Sequence, residues 1–591
     1  MRQSIKNNLY FLNYVRKFTP VYFYMRFITV LLSPLQPLVS IFIMKIAIDD
    51  VAGGKPLNEM SLIILTGFAI ALTCNLIIHL INVGLGTVAK RILTKNIQDI
   101  FLKKAEKLDF SCFDDTEFYN QYTKAMYETD GRCVSVFDTS INFLSKIVTL
   151  STVVTVLAVL SPLIIFLCAL LIALNFGLNK GKNKLDYRYN NQLTPMKRKV
   201  EYIKKIFYEP QFAQEVRMGK LGGLMRKKFH AAIDDMIKTD RGYCGLAALL
   251  SAGFHSIGYV LTFSVIFIAC WQIKSGLLSI GGFAALLNGA EQLFMGFYGL
   301  LGSVTEMDLH SKYIDNFRKI LHYESRIETT GQNKVLCSKE GGIELKKVHF
   351  AYPGHTDHVL RNVTMSIPRG KKIAIVGYNG AGKSTLVKLL LRLYDPTSGE
   401  ITWNNNGYKT YNASDLRDNY SVVFQNYQCY ALSVDENITM SENLSDDENA
   451  RLIQSEKMSG IFEKIESLPE KGQTCMSKEF DEDGVPFSGG EQQKVAISRA
   501  FYEDRSVVIM DEPSSALDPI AEYEMNLSIK ELAKDKTVIM VSHRLSAIRM
   551  FDEIYVFAMG EIVEHGSHEE LMKLSGRYAE MFAKQASSYR E

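Results

Sequence analysis

GYNGAGKST, Gly377 to Thr385, is the stretch on which the fold turns. It matches G-x-x-x-x-G-K-[ST], a loop whose backbone N–H groups wrap nucleotide phosphates. The apolar run Ile373–Val376 (IAIV) precedes it and the mostly apolar Leu386–Leu391 follows, which gives the strand, loop and helix context the motif needs. Gly377, Gly380 and Gly382 permit close backbone approach to phosphate, Lys383 brings a cation to the β- and γ-phosphates, and Ser384 offers a hydroxyl to Mg²⁺. Asn379, Ala381 and Thr385 complete the expected nucleotide contacts, and the helix that opens behind the loop adds its positive dipole end. Further on, FSGGEQQKVAISRA (Phe487–Ala500) runs into VVIMDEP (Val507–Pro513). The four apolar residues Val507–Met510 form a strand before Asp511 and Glu512. For phosphoryl transfer to water, catalysis is mainly positioning and charge neutralisation. Asp511 is therefore expected to hold Mg²⁺, and Glu512 to orient and deprotonate the attacking water.

The rest of the 591-residue chain is built differently. Its zero mean hydropathy hides a split between long apolar runs up to about residue 320 and an ordinary α/β composition after it. A net charge of +3 gives no ground for a nucleic-acid partner. The nine cysteines lack paired spacing and read as small buried hydrophobes in a reduced compartment, neither a disulfide frame nor a metal site. The basic, amphipathic N-terminus MRQSIKNNLYFLNYVRKF has no compact apolar core or small-residue cleavage site, so it reads as a helix lying on the inner membrane face, not a removable signal.

A spanning helix needs about 20 mostly apolar residues. Six candidates are expected: Tyr22–Ile48 (with Pro34 and Pro37 as a kink), Ser61 to beyond Val88, Ile141–Leu160, Leu163–Leu178, Leu246–Trp271 and Phe283–Val304. Lysines and arginines crowd the connections after the second and fourth spans and are almost missing from the other three, so both termini are expected on the cytoplasmic side. The two basic connections are too long for structureless loops. They read as continuations of the spans that bend back near Asp109–Gln121 and Pro210–Gly219. From Glu324 the composition turns polar, then strands alternate with helical stretches, suggesting a parallel sheet covered on both faces.

The loop, the FSGGE segment and the apolar strand with its paired carboxylates together resemble the nucleotide-binding domain of ABC transporters. With six spans and long inner extensions ahead of it, the chain resembles the exporter-type half-transporters. The resemblance implies a transmembrane domain over 1–323, a linker over 324–341 and an α/β P-loop ATPase domain over 342–591, with ATP and Mg²⁺ as cofactors. It also implies roles, position by position. Tyr352 in FAYPG stacks on adenine, Gln425 in VVFQN contacts Mg²⁺ and the water, and His543 in VSHRLS meets the γ-phosphate. Asp518 in SSALD crosses a dimer interface, Ser488, Gly489 and Gly490 face phosphate, and Glu482 faces the inner bends, which act as coupling helices. Phe487 and Glu491 depart from the commoner LSGGQ. In this family the signature of one copy completes the loop of another, so a second half-transporter, identical or related, is implied.

Cargo is weakly encoded. Asn288, Glu291 and Gln292 share one face of the sixth expected span, with Tyr298 further along, and His79, Asn82 and His255 are other polar groups at membrane depth. If Glu291 faces a cavity, a cationic amphipathic compound or peptide suits it. The residues before Tyr22 are too few for a protease leader domain, so self-processing of a leader peptide is not expected. The reading is ATP-driven efflux of a drug, lipid or peptide across a plasma membrane of bacterial type. An importer with an exporter-like fold (the metal-siderophore kind) and an ATP-gated channel or sensor are the alternatives. The intact Glu512 and His543 weigh against a gate.

Overall fold

Proline and glycine punctuate the first half of the chain into long helices, as seen in a computed structural model that describes residues 2–327, 342–514, 519–532, 536–545 and 547–587. These are α1 (Arg2–Phe18), α2 (Pro20–Leu32), α3 (Leu35–Ala52), α4 (Leu57–His79), α5 (Gly86–Ala105), α6 (Ser111–Asp114), α7 (Thr116–Leu160), α8 (Pro162–Tyr208), α9 (Ala213–Met218), α10 (Leu221–Lys274) and α11 (Ile280–Leu321). The first expected span breaks between α2 and α3 at Ser33-Pro34, because proline lacks the N–H that would continue the ladder. Between α4 and α5 the backbone widens into a π-helical stretch, Leu80–Leu85. The 47 residues of α8 and 54 of α10 far exceed what a bilayer needs, and the segment joining them turns through Pro210–Phe212 and α9. Tyr189 and Tyr243 clamp this pair. Their rings stack at 3.9 Å, and each hydroxyl donates to a carboxylate of the opposite helix, Tyr189 to Asp240 at 2.7 Å and Tyr243 to Asp186 at 2.6 Å.

Five stretches are long and apolar enough to cross a membrane among the described residues: Pro20–Ala52, Leu57–Ala105, Gly131–Leu160, Pro162–Tyr208 and Leu221–Lys274. Six were expected, and α11, which carries the sixth expected span, is not among these five by composition. Asn288, Glu291 and Gln292 dilute its apolar stretch. One side of α11 packs closely on neighbouring helices. A Cβ on Gly281 would lie 2.1 Å from the Lys45 carbonyl, on Gly289 2.7 Å from Leu157, and on Gly296 2.8 Å from Leu150. Small residues let the helix backbones approach closely, and a helix packed among helices needs less apolar surface than one facing lipid.

The N-terminal α1 is tied down by polar contacts. Asn7 Nδ2 donates to Ser311 Oγ at 2.8 Å and to Asp315 Oδ1 at 2.9 Å, and Asn8 Nδ2 to the Met307 carbonyl at 3.2 Å. Asn7 and Asn8 are buried, so its inner face is as polar as it is apolar. A charged network crosses the same unit. Arg26, buried in α2, donates to Asp138 Oδ1 of α7 at 3.0 Å and to Asn82 of the π stretch, and Lys90 reaches Asp138 Oδ2 at 2.8 Å.

By internal contacts the chain forms two compact units, 1–102 with 124–320 and 103–123 with 321–591. The second holds two sheets. β1 (Gly342–Phe350), β2 (Leu360–Pro368), β4 (Ser398–Trp403) and β5 (Asn406–Gly407) form an antiparallel sheet in the order β2-β1-β4-β5. β3 (Lys372–Gly377), β6 (Tyr420–Val423), β7 (Val507–Asp511), β8 (Thr537–Val541), β9 (Glu553–Ala558) and β10 (Glu561–Gly566) form the other, in the order β10-β9-β3-β8-β7-β6. β9, β3, β8, β7 and β6 run parallel, and every residue of β7 and β8 is buried. That two-sided burial explains their unbroken apolar sequences.

Candidate functional site

Ligands of an open parallel sheet bind beyond the carboxyl ends of its strands. Here adjacent strands deliver the candidate residues to that edge. β3 ends in the glycine loop, β7 in Asp511 and Glu512, β8 leads to His543, and β6 leads to Gln425. These segments, far apart in sequence, line one cavity of about 300 Å³ with Val359, Asn379, Gly380, Gly382, Lys383, Ser384, Thr385, Gln425, Glu512 and His543.

The loop needs its glycines. Gly380 and Gly382 hold φ of 77° and 101°, left-handed conformations that side chains rarely adopt. Helix α12 (Lys383–Leu390) starts directly after Gly382, so its first N–H groups face the cavity. Lys383 Nζ folds into the loop and donates to the carbonyls of Gly377 at 2.9 Å and Tyr378 at 3.0 Å. Burial pushes its ammonium below the ordinary lysine range, although the carboxylates of Glu512 and Asp511 pull the other way. A phosphate would replace those carbonyls with charged acceptors.

Glu512 is held from two sides. Gln425 Nε2 donates to its Oε2 at 3.1 Å, and His543 Nε2 lies 2.8 Å from its Oε1. A carboxylate only accepts, so the histidine proton sits on Nε2. Burial and the Lys383 charge hold His543 below the usual imidazole range, against the opposing pull of Glu512, so the ring is neutral at pH 7. Glu512 also has φ of 54°, a strained backbone that costs on the order of 1–3 kcal/mol and recurs at functional sites.

Asp511 is buried at the end of β7. Burial raises its carboxyl above the ordinary aspartate range, partly offset by the Ser384 hydroxyl and the Lys383 charge. Its Oδ1 is buried and has no hydrogen-bond partner among the described residues. An orphaned carboxylate oxygen beside a serine hydroxyl is an oxygen-ligand set that suits Mg²⁺.

The remaining expected residues fall outside this cavity. Tyr352 is half-buried above α12, its hydroxyl 3.0 Å from Thr385 Oγ1. Ser488 and Gly489 are exposed at the start of the helix Gly489–Glu503. Ser488 caps that helix in a reciprocal box: Glu491 Oε2 accepts from the Ser488 N–H at 2.8 Å and from its hydroxyl at 2.9 Å, and Lys464 meets Glu491 at 3.0 Å. Burial acts to raise the Glu491 carboxyl, but the Ser488 donors and Lys464 outweigh it and hold it below the ordinary range. Gly490 follows in the helix, Glu482 lies in an exposed turn, and Asp518 lies outside the described residues.

The cargo candidates are not gathered. Asn288 donates to Ser40 Oγ at 3.0 Å and is tied up between helices, while Glu291, Gln292, His79 and His255 are exposed at separate places. A cavity of about 470 Å³ in the membrane unit is lined by Tyr298, Phe176, Lys180, Asn183, Thr305 and Glu306 among others, and by none of those five.

Sequence reasoning missed Asp109 in the first inner connection. Its carboxylate accepts from the hydroxyls of Ser325 and Tyr323 (2.9 Å for the latter) and from the N–H groups of Arg326 at 2.9 Å and Ile327 at 3.2 Å. These donors outweigh the upward push of burial and keep the carboxyl below its usual range. An aspartate in a basic segment was the available signal, but its partners lie more than two hundred residues away.

A strand-end glycine loop facing paired carboxylates, on a chain with five apolar helices, defines a membrane-bound P-loop ATPase. The ABC transporter family model matches residues 360–515, and that of the ABC transporter transmembrane region matches 222–297. The subtilin transport ATP-binding protein SpaT of Bacillus subtilis is 26% identical over 81% of this chain and 78% of its own length. The nisin transport ATP-binding protein NisT of Lactococcus lactis is 24% identical over 92% of this chain and 90% of its own. The ATP-dependent lipid A-core flippase of Haemophilus influenzae is 32% identical over 65% of this chain and 62% of its own. The solved structure of a bacterial Atm1-family ABC exporter with ATP bound superposes with a TM-score of 0.79 at 22% identity, covering 95% of this chain and 98% of that one, a likeness of fold. The chain belongs to the ABC transporters of exporter type. It hydrolyses ATP and couples hydrolysis to transport.

Proposed function

We propose that the chain is one half of an exporter that moves an amphipathic compound, a lipid or peptide, out of the cytoplasm by alternating access. The observation that carries this is Glu512, aimed at the phosphate loop and held there by Gln425 and His543. The lipid A-core flippase and the subtilin and nisin transporters among its relatives favour lipid or peptide cargo. Their bacterial sources and the basic inner connections favour a bacterial plasma membrane with both termini inside.

The loop amides and Lys383 bind the phosphates of ATP and hold its leaving group. Asp511 and Ser384 would hold Mg²⁺, which would supply charge neutralisation at the phosphates. Glu512 takes a proton from the attacking water while Gln425 and His543 fix its two oxygens, so the base meets the water in one orientation. Neutral His543 keeps one N–H to donate. Tyr352 offers a ring face to adenine. Ser488, exposed at a helix N-terminus, completes the site of a second half-transporter, identical or related. ATP favours the closed pair, hydrolysis removes the bias, and the membrane helices change population accordingly.

The test is ATP-dependent accumulation of a labelled amphipathic peptide and of a labelled lipid in inside-out vesicles. Wild-type protein is expected to accumulate at least one of them. Loss of label from preloaded vesicles would reverse the direction, and ion conductance without accumulation would replace transport with gating.

A further inference from the structure

Lys388 stands one turn beyond the phosphate-binding part of α12 and has no ion pair among the described residues. Its ammonium is instead surrounded by rings: 5.2 Å from the centroid of Tyr352, 5.5 Å from Phe110 and 5.9 Å from Tyr394. Its Nζ also donates to the Tyr352 hydroxyl at 3.4 Å. The rings touch one another edge-on, Phe110 with Tyr394 at 5.7 Å and Tyr352 with Tyr394 at 5.5 Å. One end of this cluster is Thr385 of the phosphate loop, 3.0 Å from the Tyr352 hydroxyl. The other end is Asp114, which accepts from the Tyr394 hydroxyl. Phe110 and Asp114 lie at α6, the bend of the first inner connection, within the same compact unit as the loop.

We infer that Lys388 is a positioning residue that joins the Tyr352 ring to the first inner bend, so that ATP affinity depends on Phe110 and, reciprocally, ATP occupancy tightens the bend. This rests on the proposed role of Tyr352 as the adenine platform. A cation near an aromatic ring is attracted by its quadrupole, and one that also donates to the ring's hydroxyl holds that end of the ring in place. The ammonium sits at the hydroxyl end of the Tyr352 ring, which leaves a face for the base, and the same ammonium lies 5.5 Å from the Phe110 centroid. Any change in affinity that the bend imposes on ATP must be matched by the change that ATP imposes on the bend. Methionine keeps the length of the side chain and removes the charge, whereas arginine keeps the charge and stacks on rings.

The experiment uses the full chain in lipid nanodiscs with its natural partner, and reads KM for ATP, kcat and hydrogen exchange of residues 109–115. Lys388→Met is expected to raise KM three- to tenfold with kcat within twofold, and Lys388→Arg to restore KM. Phe110→Ala should raise KM similarly, and the double variant no further. ATP should slow exchange at 109–115 in the wild type but not in Lys388→Met. Lys388→Gln serves if the methionine variant melts early. A KM within twofold of wild type in both uncharged variants, or additive single effects, would overturn the inference. Tyr352→Ala separates the causes: a raised KM there with Lys388→Met unaffected overturns the inference alone, and an unchanged KM overturns the platform reading with it.

Discussion

Glu456 should make the ATPase unit lose stability as pH rises, and Glu456→Gln should abolish that loss. The side chain lies in the helix Asp446–Ser459 and is only 3% exposed. Burial, then the carboxylates of Asp435 and Glu466, push it up to about 7 from 4.5. Lys471 pairs with Glu466 at 2.8 Å, and Gln473 donates to Asp435 at 2.9 Å. Asp435 is itself raised by burial, so the neighbours hold Glu456 toward its protonated form. The sign follows from linkage. A carboxyl whose folded value lies above its unfolded one favours the fold when protonated, so its contribution is complete below pH 4.5 and is lost as pH passes through about 7. At about 1.4 kcal/mol per pH unit the loss is about 3 kcal/mol, an upper value because local relaxation admits water. For a unit of this size that is roughly 5–10 °C in Tm. The helix packs on Gly489–Glu503, with Ser455 and Ser498 hydroxyls 3.0 Å apart, so loosening reaches the signature. The assay is thermal unfolding of the full chain in nanodiscs at pH 5 and 8.5, with hydrogen exchange of residues 446–459 as the local reading. Glu456→Gln should melt higher than wild type at pH 8.5 and alike at pH 5. Identical pH dependence in the two proteins would refute the reasoning.

Lys383→Ala removes the charge that now rests on the Gly377 and Tyr378 carbonyls, and should weaken ATP binding about 10- to 100-fold, measured by nucleotide titration. Asp138→Ala leaves buried Arg26 without its ion-pair partner and should destabilise the membrane unit by about 3–5 kcal/mol, seen as a lower melting temperature, with Asp138→Asn milder. His543→Ala leaves Glu512 with one donor and should lower kcat on the order of tenfold or more with a smaller change in KM for ATP. Chelating Mg²⁺ should stop turnover, and Asp511→Asn should need more Mg²⁺ for half-maximal rate.

The nucleotide site was legible because its parts are local. The glycine loop needs left-handed backbone at Gly380 and Gly382, and the apolar Val507–Met510 run announces a buried strand ending at a carboxylate pair. What joins these parts was not legible. Gln425 and His543 meet on Glu512 only because β6, β7 and β8 are neighbours in one sheet. The bends of the inner connections announced themselves by length and charge, but the hold of Asp109 on Tyr323–Ile327 is long-range. In the membrane half, Asn288, Glu291 and Gln292 leave α11 short of the apolar composition of the other expected spans, and composition alone does not say which of its faces packs on protein. The π stretch at Leu80–Leu85 has no local signature, and polar groups at membrane depth did not converge, since periodicity places a residue on a face without saying what that face meets.

The most direct measurement follows ATP-driven uptake of labelled cargo into inside-out vesicles carrying wild-type protein or Glu512→Gln, with nucleotide occupancy read in the same vesicles. Uptake that tracks hydrolysis in the wild type, and stops in the variant while ATP stays bound, is the predicted result. Undiminished uptake by Glu512→Gln would contradict the account.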